Sequence, residues 1–330
     1  MIFDVATFVV AFGIAFVLYP VVMRTLRRMK AGQVIQSELP ESHQKKAGTP
    51  TGGGILFTAL GIVGGLLATF AGHAGAWPAV GGLFAGALIG FADDLSKLRV
   101  GSLGIPARWK LPIQVLLALP VGYIALSASA LPCAGPPSLM GCDGAHQYLF
   151  PSYPLPLLVF PLAVIAIVAT ANAVNITDGM DGLAGGLSVI AIAAMALLLP
   201  GAPAGEKAVA MSLAGALVAF LVFNRYPARV FMGDTGSLAI GYALAAMAIQ
   251  QGWLVLLPLV ALVFVLETLS VIIQVAYFRA SGGRRVFKMA PIHYTFHHQG
   301  WSENRIALTF WGAGLVSALA AAGVVRLIIR

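Results

Sequence analysis

The sequence predicts an all-α integral membrane protein that crosses the bilayer about ten times, and three observations predict it. First, 59% of the 330 residues are hydrophobic and only 10% are charged, against about 25% charged in soluble domains; mean hydropathy is +0.90. Second, the apolar residues form many continuous runs close to the roughly 20 residues that a spanning helix needs, not the short alternating segments of a membrane barrel. Third, the basic residues segregate by loop, as they do when loops alternate between two sides of a membrane.

In chain order, the expected spans are 4–23, 54–71, 77–92, 111–131, 154–174, 183–200, 206–223, 236–252, 253–278 and 306–328. The first run has no small-residue cleavage site and is followed by Arg24, Arg27, Arg28 and Lys30, so it reads as a retained helix and not a signal peptide. The third, sixth and eighth are short or rich in Gly. Only Gln250, Gln251 and Gly252 separate the eighth from the ninth. No repeat, linker or low-complexity tract divides the chain, which reads as one transmembrane domain over 1–330.

An even number of spans puts both termini on one side. One set of loops then holds 17 of the 20 basic residues, and the other set only Lys207, Arg326 and Arg330. The positive-inside rule assigns the first set to the cytoplasm and both termini to the outside. The net charge of +8 thus reports orientation, and no nucleic-acid partner is expected. Cys133 and Cys142 fall in the outer loop after the fourth span, where an oxidising compartment permits a disulfide; their spacing is not that of metal ligands.

The acidic residues carry the chemistry. Five of the seven aspartates (Asp93, Asp94, Asp178, Asp181 and Asp234) fall at cytoplasmic helix ends or inner loops, and ionisable groups close to hydrocarbon are costly enough to mark function. Asp93 and Asp94 end the third span. Adjacent carboxylates repel, and a cation or a raised pKa relieves them; Lys97, within a helical turn, supplies the plainer reading of a salt-bridged helix end. Asn175, Asp178 and Asp181 are spaced by three, which on a helix lines them along one face. Oxygen donors of this kind suit Mg²⁺, which keeps waters and takes substrate phosphates, although Asn, Asp and Gly also serve simple turns. The run 224–237 brings Asn224, Phe231 and Asp234 to a helix start, a natural phosphate site, with an aromatic ring on which a base can stack. The last inner loop holds His293, His297 and His298 among Arg284, Arg285 and Lys288; a basic loop suits anionic headgroups, but largely neutral histidines point to a diphosphate or a metal ligand.

These segments match a known family in order along nearly the whole chain: Ser42-His43 with residues 46–51, Asp93-Asp94, residues 175–182, residues 224–236, and residues 267–274 with 287–293. On them the chain resembles the polyprenyl-phosphate N-acetylhexosamine-1-phosphate transferases, and among these the phospho-N-acetylmuramoyl-pentapeptide transferases. The resemblance implies transfer of phospho-MurNAc-pentapeptide from UDP-MurNAc-pentapeptide to undecaprenyl phosphate, giving lipid I and UMP at the cytoplasmic face of the bacterial inner membrane, by a homodimer. It implies Mg²⁺ held at Asp234 with Asn175, and catalytic roles for Asp93, Asp94, Asp234 and His293. The uridine pocket would use Lys46, Asn175, Asp178, Asp181, Asn224 and Phe231, and Thr51, Lys97, Lys110, Gln274 and His297 complete the expected substrate contacts. Two departures stand out: Tyr294 and Thr295 replace the second and third of three consecutive histidines, and Gly53 replaces a Met. A sibling enzyme acting on GlcNAc-1-phosphate is the alternative within the class. A transporter is the alternative outside it, although transporters keep their charges near the midplane of repeated halves.

Overall fold

The structure, a computed structural model, describes residues 2–29, 48–98, 104–129 and 156–329. Lys46, Ser42, His43, Cys133 and Cys142 lie outside the described residues. Every expected apolar run is occupied by a helix: α1 (Ile2–Arg28), α2 (Gly54–Phe70), α3 (Trp77–Lys97), α4 (Ala107–Ser127), α5 (Pro156–Thr177), α6 (Leu183–Ala193), α7 (Ala204–Asn224), α8 (Gly233–Gln250), α9 (Leu262–Ala280) and, after the short α10 (Ile292–His298), α11 (Glu303–Ile329). The described residues form no strand. Seven of these helices are long and apolar enough to cross a membrane, and α2 and α6 are shorter apolar helices. The protein is an all-α polytopic membrane protein.

Helices outrun the apolar stretches by about a turn where the site lies. α3 continues to Lys97, α4 begins at Ala107 and α5 runs to Thr177, so Asp93, Asp94, Lys97, Lys110 and Asn175 sit on rigid helix ends. The ninth span is not one helix. Trp253 and Pro258 interrupt it as a 3₁₀ turn (Leu254–Leu256) and a short helical turn (Leu257–Val260) before α9 starts, because proline cannot donate to the preceding turn. α6 ends in a five-residue π turn, Ala194–Leu198.

The bundle is organised around α8, whose residues from Asp234 to Gln250 are all buried. Apolar attraction alone does not hold helices together in lipid; close backbone approach does. Gly82, Gly86 and Gly90 form a ladder on α3 against α8: a Cβ at Gly90 would lie 2.2 Å from the Asp234 carbonyl oxygen, and one at Gly86 2.5 Å from that of Leu238. Gly54 of α2 meets Gly236, and Gly241 meets Ala171 of α5, with Cβ-to-Cα approaches of 2.3 Å each. Polar ties add to this, as Asn172 donates to the Gln114 side chain at 2.7 Å and the Tyr242 hydroxyl to the Gln114 carbonyl at 2.6 Å, joining α4, α5 and α8. Large apolar side chains on the outer helices remain exposed, such as Val17 (69%), Leu116 (65%) and Leu308 (63%); on a soluble protein these would be sticky patches, and here they face lipid.

Candidate active site

The glycine ladder sets the end of α3 against the start of α8, which brings Asp93 and Asp94 to Asp234. Asp94 Oδ1 accepts the Asp234 N–H at 3.0 Å, and its Oδ2 accepts the Thr235 N–H at 2.9 Å and the Thr235 hydroxyl at 2.7 Å. The first turn of a helix leaves its N–H groups without intrahelical partners; here a carboxylate from another helix caps them. Asp93 turns elsewhere. Its Oδ1 accepts the Ile105 N–H at 2.7 Å, and its Oδ2 meets Lys97 Nζ at 2.7 Å and Lys110 Nζ at 3.4 Å.

Both lysines also reach Asp234, Lys97 at 3.0 Å from Oδ1 and Lys110 in contact with Oδ2. Asn175 Nδ2 donates to Asp234 Oδ1 at 3.1 Å and to Ser237 Oγ at 2.9 Å. Two buried carboxylates and two cations thus share one network, and its accessible part is cationic: the Lys97 side chain is 37% exposed and that of Asp93 2%. Thr51 borders the network through Gly233, whose φ is +76° and whose Cβ, were there one, would lie 2.8 Å from Asp94 Oδ2 and 3.1 Å from Thr51 Oγ1. Only glycine fits that conformation and that space.

α5 stops at Thr177, so Asn175, Asp178 and Asp181 do not share a helical face as their spacing predicts. The turn sends them to three tasks. Asn175 joins the network. Asp181 Oδ2 accepts the Ala228 N–H at 2.8 Å. The Asp178 carboxylate accepts no hydrogen bond and forms no ion pair among the described residues. Burial first, then the charges of Asp234, Asp94 and Asp181, holds the Asp178 carboxyl well above the usual carboxylate range.

Asn224 ties the same turn to the following loop, accepting the Gly182 N–H at 3.0 Å and donating to the Val230 carbonyl at 2.9 Å. The half-buried Phe231 is fixed by its backbone, its N–H donating to the Pro50 carbonyl at 2.8 Å and its carbonyl accepting the Gly53 N–H at 2.9 Å. At Gly53 a side chain would meet Val230 Cγ2 at 2.7 Å, so glycine suits this position in this chain.

His293 and Glu267 form a second centre. Both are 0% exposed, with His293 Nδ1 at 3.0 Å from Glu267 Oε2. A carboxylate on Nδ1 fixes the tautomer that leaves Nε2 as the acceptor, and Nε2 has no hydrogen-bond partner among the described residues. It faces Gly179, where a Cβ would lie 2.9 Å away. Tyr294 packs on the His293 ring at 4.2 Å between centroids and donates its hydroxyl to the Gly179 carbonyl at 2.9 Å. Thr295 accepts the Met289 N–H at 3.3 Å, so both substituted side chains hold loops. The helical form of α10 sets the half-buried His297 one turn beyond His293.

Of the sequence-predicted residues, Asp93, Asp94, Lys97, Lys110, Asn175 and Asp234 converge, Thr51 and Asp178 border them, and Asp181, Asn224 and Phe231 clamp adjacent loops. Gln274 stands apart, accepting the Val286 and Phe287 N–H groups at 3.1 and 2.9 Å. Sequence reasoning missed Thr235, Ser237, Glu267 and Tyr294 as site residues. The i, i+3 spacing of Asp234 and Ser237 was the available signal for Ser237; nothing local marks the pairing of Glu267 with His293 across 26 residues.

Fold and site together define a membrane-embedded transferase, and residues 76–252 match the model for glycosyl transferase family 4. The chain is 40% identical over 321 residues to a phospho-N-acetylmuramoyl-pentapeptide-transferase of Heliobacterium modesticaldum, covering 94% of each chain. It is 41% identical over 320 residues to that of Oceanobacillus iheyensis (95% of each) and 43% identical over 319 residues to that of Symbiobacterium thermophilum (92% of this chain, 90% of the relative). The chain belongs to the phospho-N-acetylmuramoyl-pentapeptide-transferase family, and is an enzyme.

Proposed function

We propose that this enzyme transfers phospho-MurNAc-pentapeptide from UDP-MurNAc-pentapeptide to undecaprenyl phosphate at the cytoplasmic face of the bacterial inner membrane, releasing UMP and lipid I for peptidoglycan synthesis. The observation that carries this reading is the convergence of Asp93, Asp94 and Asp234 with Lys97 and Lys110 at helix ends. Attack of one phosphate on another brings like charges together, and cations fixed in advance lower that barrier.

Within this reading Lys97, whose side chain is 37% exposed, and the more enclosed Lys110 bind the diphosphate oxygens. Asp94 is engaged in capping α8; Asp93, released as Lys97 and Lys110 turn from it to the diphosphate, accepts the remaining proton of the acceptor phosphate. An acceptor oxygen then forms a bond to the sugar-bearing phosphorus as its bond to UMP breaks, and the electron pair leaves with UMP. His293, held by Glu267, sits near the diphosphate behind the turn at Gly179 that its buried Nε2 faces. A cleft of about 320 Å³, walled by Val21, Leu26, Ile55, Phe91 and Leu95, leads from the outer surface of α1, α2 and α3 to Asp94, which suits an acceptor whose tail stays in the bilayer. Phe231 stacks on the uracil beside the clamp made by Asn224 and Asp181. The enzyme works as a homodimer.

Mg²⁺ fits the donor set in part. No group of three His, Cys, Asp or Glu residues among the described residues is close enough to hold a metal alone, but Mg²⁺ binds through one or two carboxylates and completes its shell with water and phosphate. Asp234 and the unengaged Asp178 would hold it, with Asn175 orienting Asp234. When bound, the ion neutralises diphosphate charge and assists the departure of UMP. The test is UMP release from UDP-MurNAc-pentapeptide by purified protein, with and without undecaprenyl phosphate and Mg²⁺, and with UDP-GlcNAc in parallel. Release that requires all three components supports the reading; release from UDP-GlcNAc alone among the two donors would overturn it.

A further inference from the structure

At the opposite end of the bundle a second cavity, of about 710 Å³, lies between the π turn of α6, the first turn of α7 and the last turn of α11. Its walls include Leu197, Leu199, Pro200 and Val325, and two cations, Lys207 and Arg326, reach it from different helices. All three helices have their other ends near the carboxylate network: α6 follows Asp181, α7 ends at Asn224, and α11 opens at Glu303, which accepts the Asp181 N–H at 3.3 Å. The cavity therefore belongs to the other face of the membrane.

Cations are scarce on that face. Lys207 and Arg326 are two of the three basic residues that the loop pattern assigns to it, against 17 on the side of the carboxylates. Neither forms an ion pair among the described residues. Their neighbour Glu206 is 1% exposed and turns inward, accepting from the Gln251 side chain. The π turn supplies the room, since its wider backbone ring carries Leu197, 58% exposed, away from the core; such turns recur where helices serve a function beyond packing. Two cations with no ion pair among the described residues, above apolar walls at the edge of the bilayer, complement a ligand with a phosphate head and hydrocarbon chains.

We propose that this cavity binds an anionic phospholipid of the leaflet opposite the carboxylate network, its phosphate between Lys207 and Arg326 and its chains along Leu197, Leu199 and Val325. The site is independent of the transfer reaction. Native mass spectrometry of the purified full chain reads it directly, with phosphatidylglycerol and phosphatidylcholine of the same acyl chains offered in competition. The wild type retains phosphatidylglycerol about tenfold or more over phosphatidylcholine, and Lys207→Ala with Arg326→Ala abolishes the preference. The charge-keeping pair Lys207→Arg and Arg326→Lys preserves it, which separates charge from folding. Equal retention of the two lipids by the wild type, or an unchanged preference in the double alanine variant, would overturn the proposal, as would displacement of the lipid by millimolar inorganic phosphate alone.

Discussion

Asp94 of α3 caps α8 from outside, its Oδ1 accepting the N–H of Asp234 at 3.0 Å while its Oδ2 takes both donors of Thr235. Asp234, on which the lysines and Asn175 converge, is thus positioned by a neighbouring carboxylate through the backbone. Asp94→Ala removes the cap. It should cost about 1–2 kcal/mol of stability, read as a lowered Tm in detergent, and should raise the Mg²⁺ concentration needed for half-maximal UMP release. An unchanged Mg²⁺ dependence would show that the cap does not govern Asp234.

Asp234 is the meeting point of both lysines and Asn175. Asp234→Asn keeps the shape and removes the charge, and UMP release should fall by about 10²–10³-fold. Retention of wild-type turnover would sink its assignment as the metal-holding carboxylate.

Lys97 and Lys110 share the same two carboxylates. Groups in one network couple, by about 0.5–3 kcal/mol. Lys97→Ala and Lys110→Ala should each impair turnover, and the double variant should lose less than the product of the two losses. A double-mutant cycle on kcat/KM measures the coupling, and strict additivity would separate the two cations into independent sites.

The glycine ladder makes a paired prediction. Gly90→Ala drives a Cβ to 2.2 Å from the Asp234 carbonyl and should destabilise by about 1–3 kcal/mol or more. Gly81, one residue before the ladder, meets nothing within 4 Å, so Gly81→Ala should be neutral or stabilising by up to about 1 kcal/mol. Thermal unfolding of the two variants side by side checks this.

Tyr294 anchors the turn after Asp178 through the Gly179 carbonyl. Tyr294→Phe should raise the KM for the nucleotide substrate several-fold with little change in kcat, while Glu267→Gln, which disturbs the partner of His293, should lower kcat by about 10²-fold. Steady-state kinetics on the two variants separates the two effects.

The all-α membrane class, the helical character of the apolar runs and the gathering of acids at one set of helix ends were legible in the sequence, because hydropathy and charge are local properties. Recognition of the family was legible too, from motifs in register. The division of labour within the motifs was not. Asp93 and Asp94 look equivalent on paper, yet one faces lysines and the other a helix start, a difference fixed by the rotation of α3 against α8. The even spacing of Asn175, Asp178 and Asp181 suggests one face, but the helix ends between the first and second. Gln274 reads as a substrate contact, and its hold on the backbone of Val286 and Phe287 could not be read from its own segment. Glu267 and His293 each lie in a recognisable motif, but their pairing across 26 residues leaves no local signature.

The complete enclosure of α8 has a mechanical consequence. Changes in bilayer thickness or lateral pressure act on the side chains that touch lipid, and those belong to the surrounding helices. The backbone that carries Asp234 is shielded from such stress, while α3 and α4, which bring Asp93, Lys97 and Lys110 to it, also touch lipid and pass that stress on.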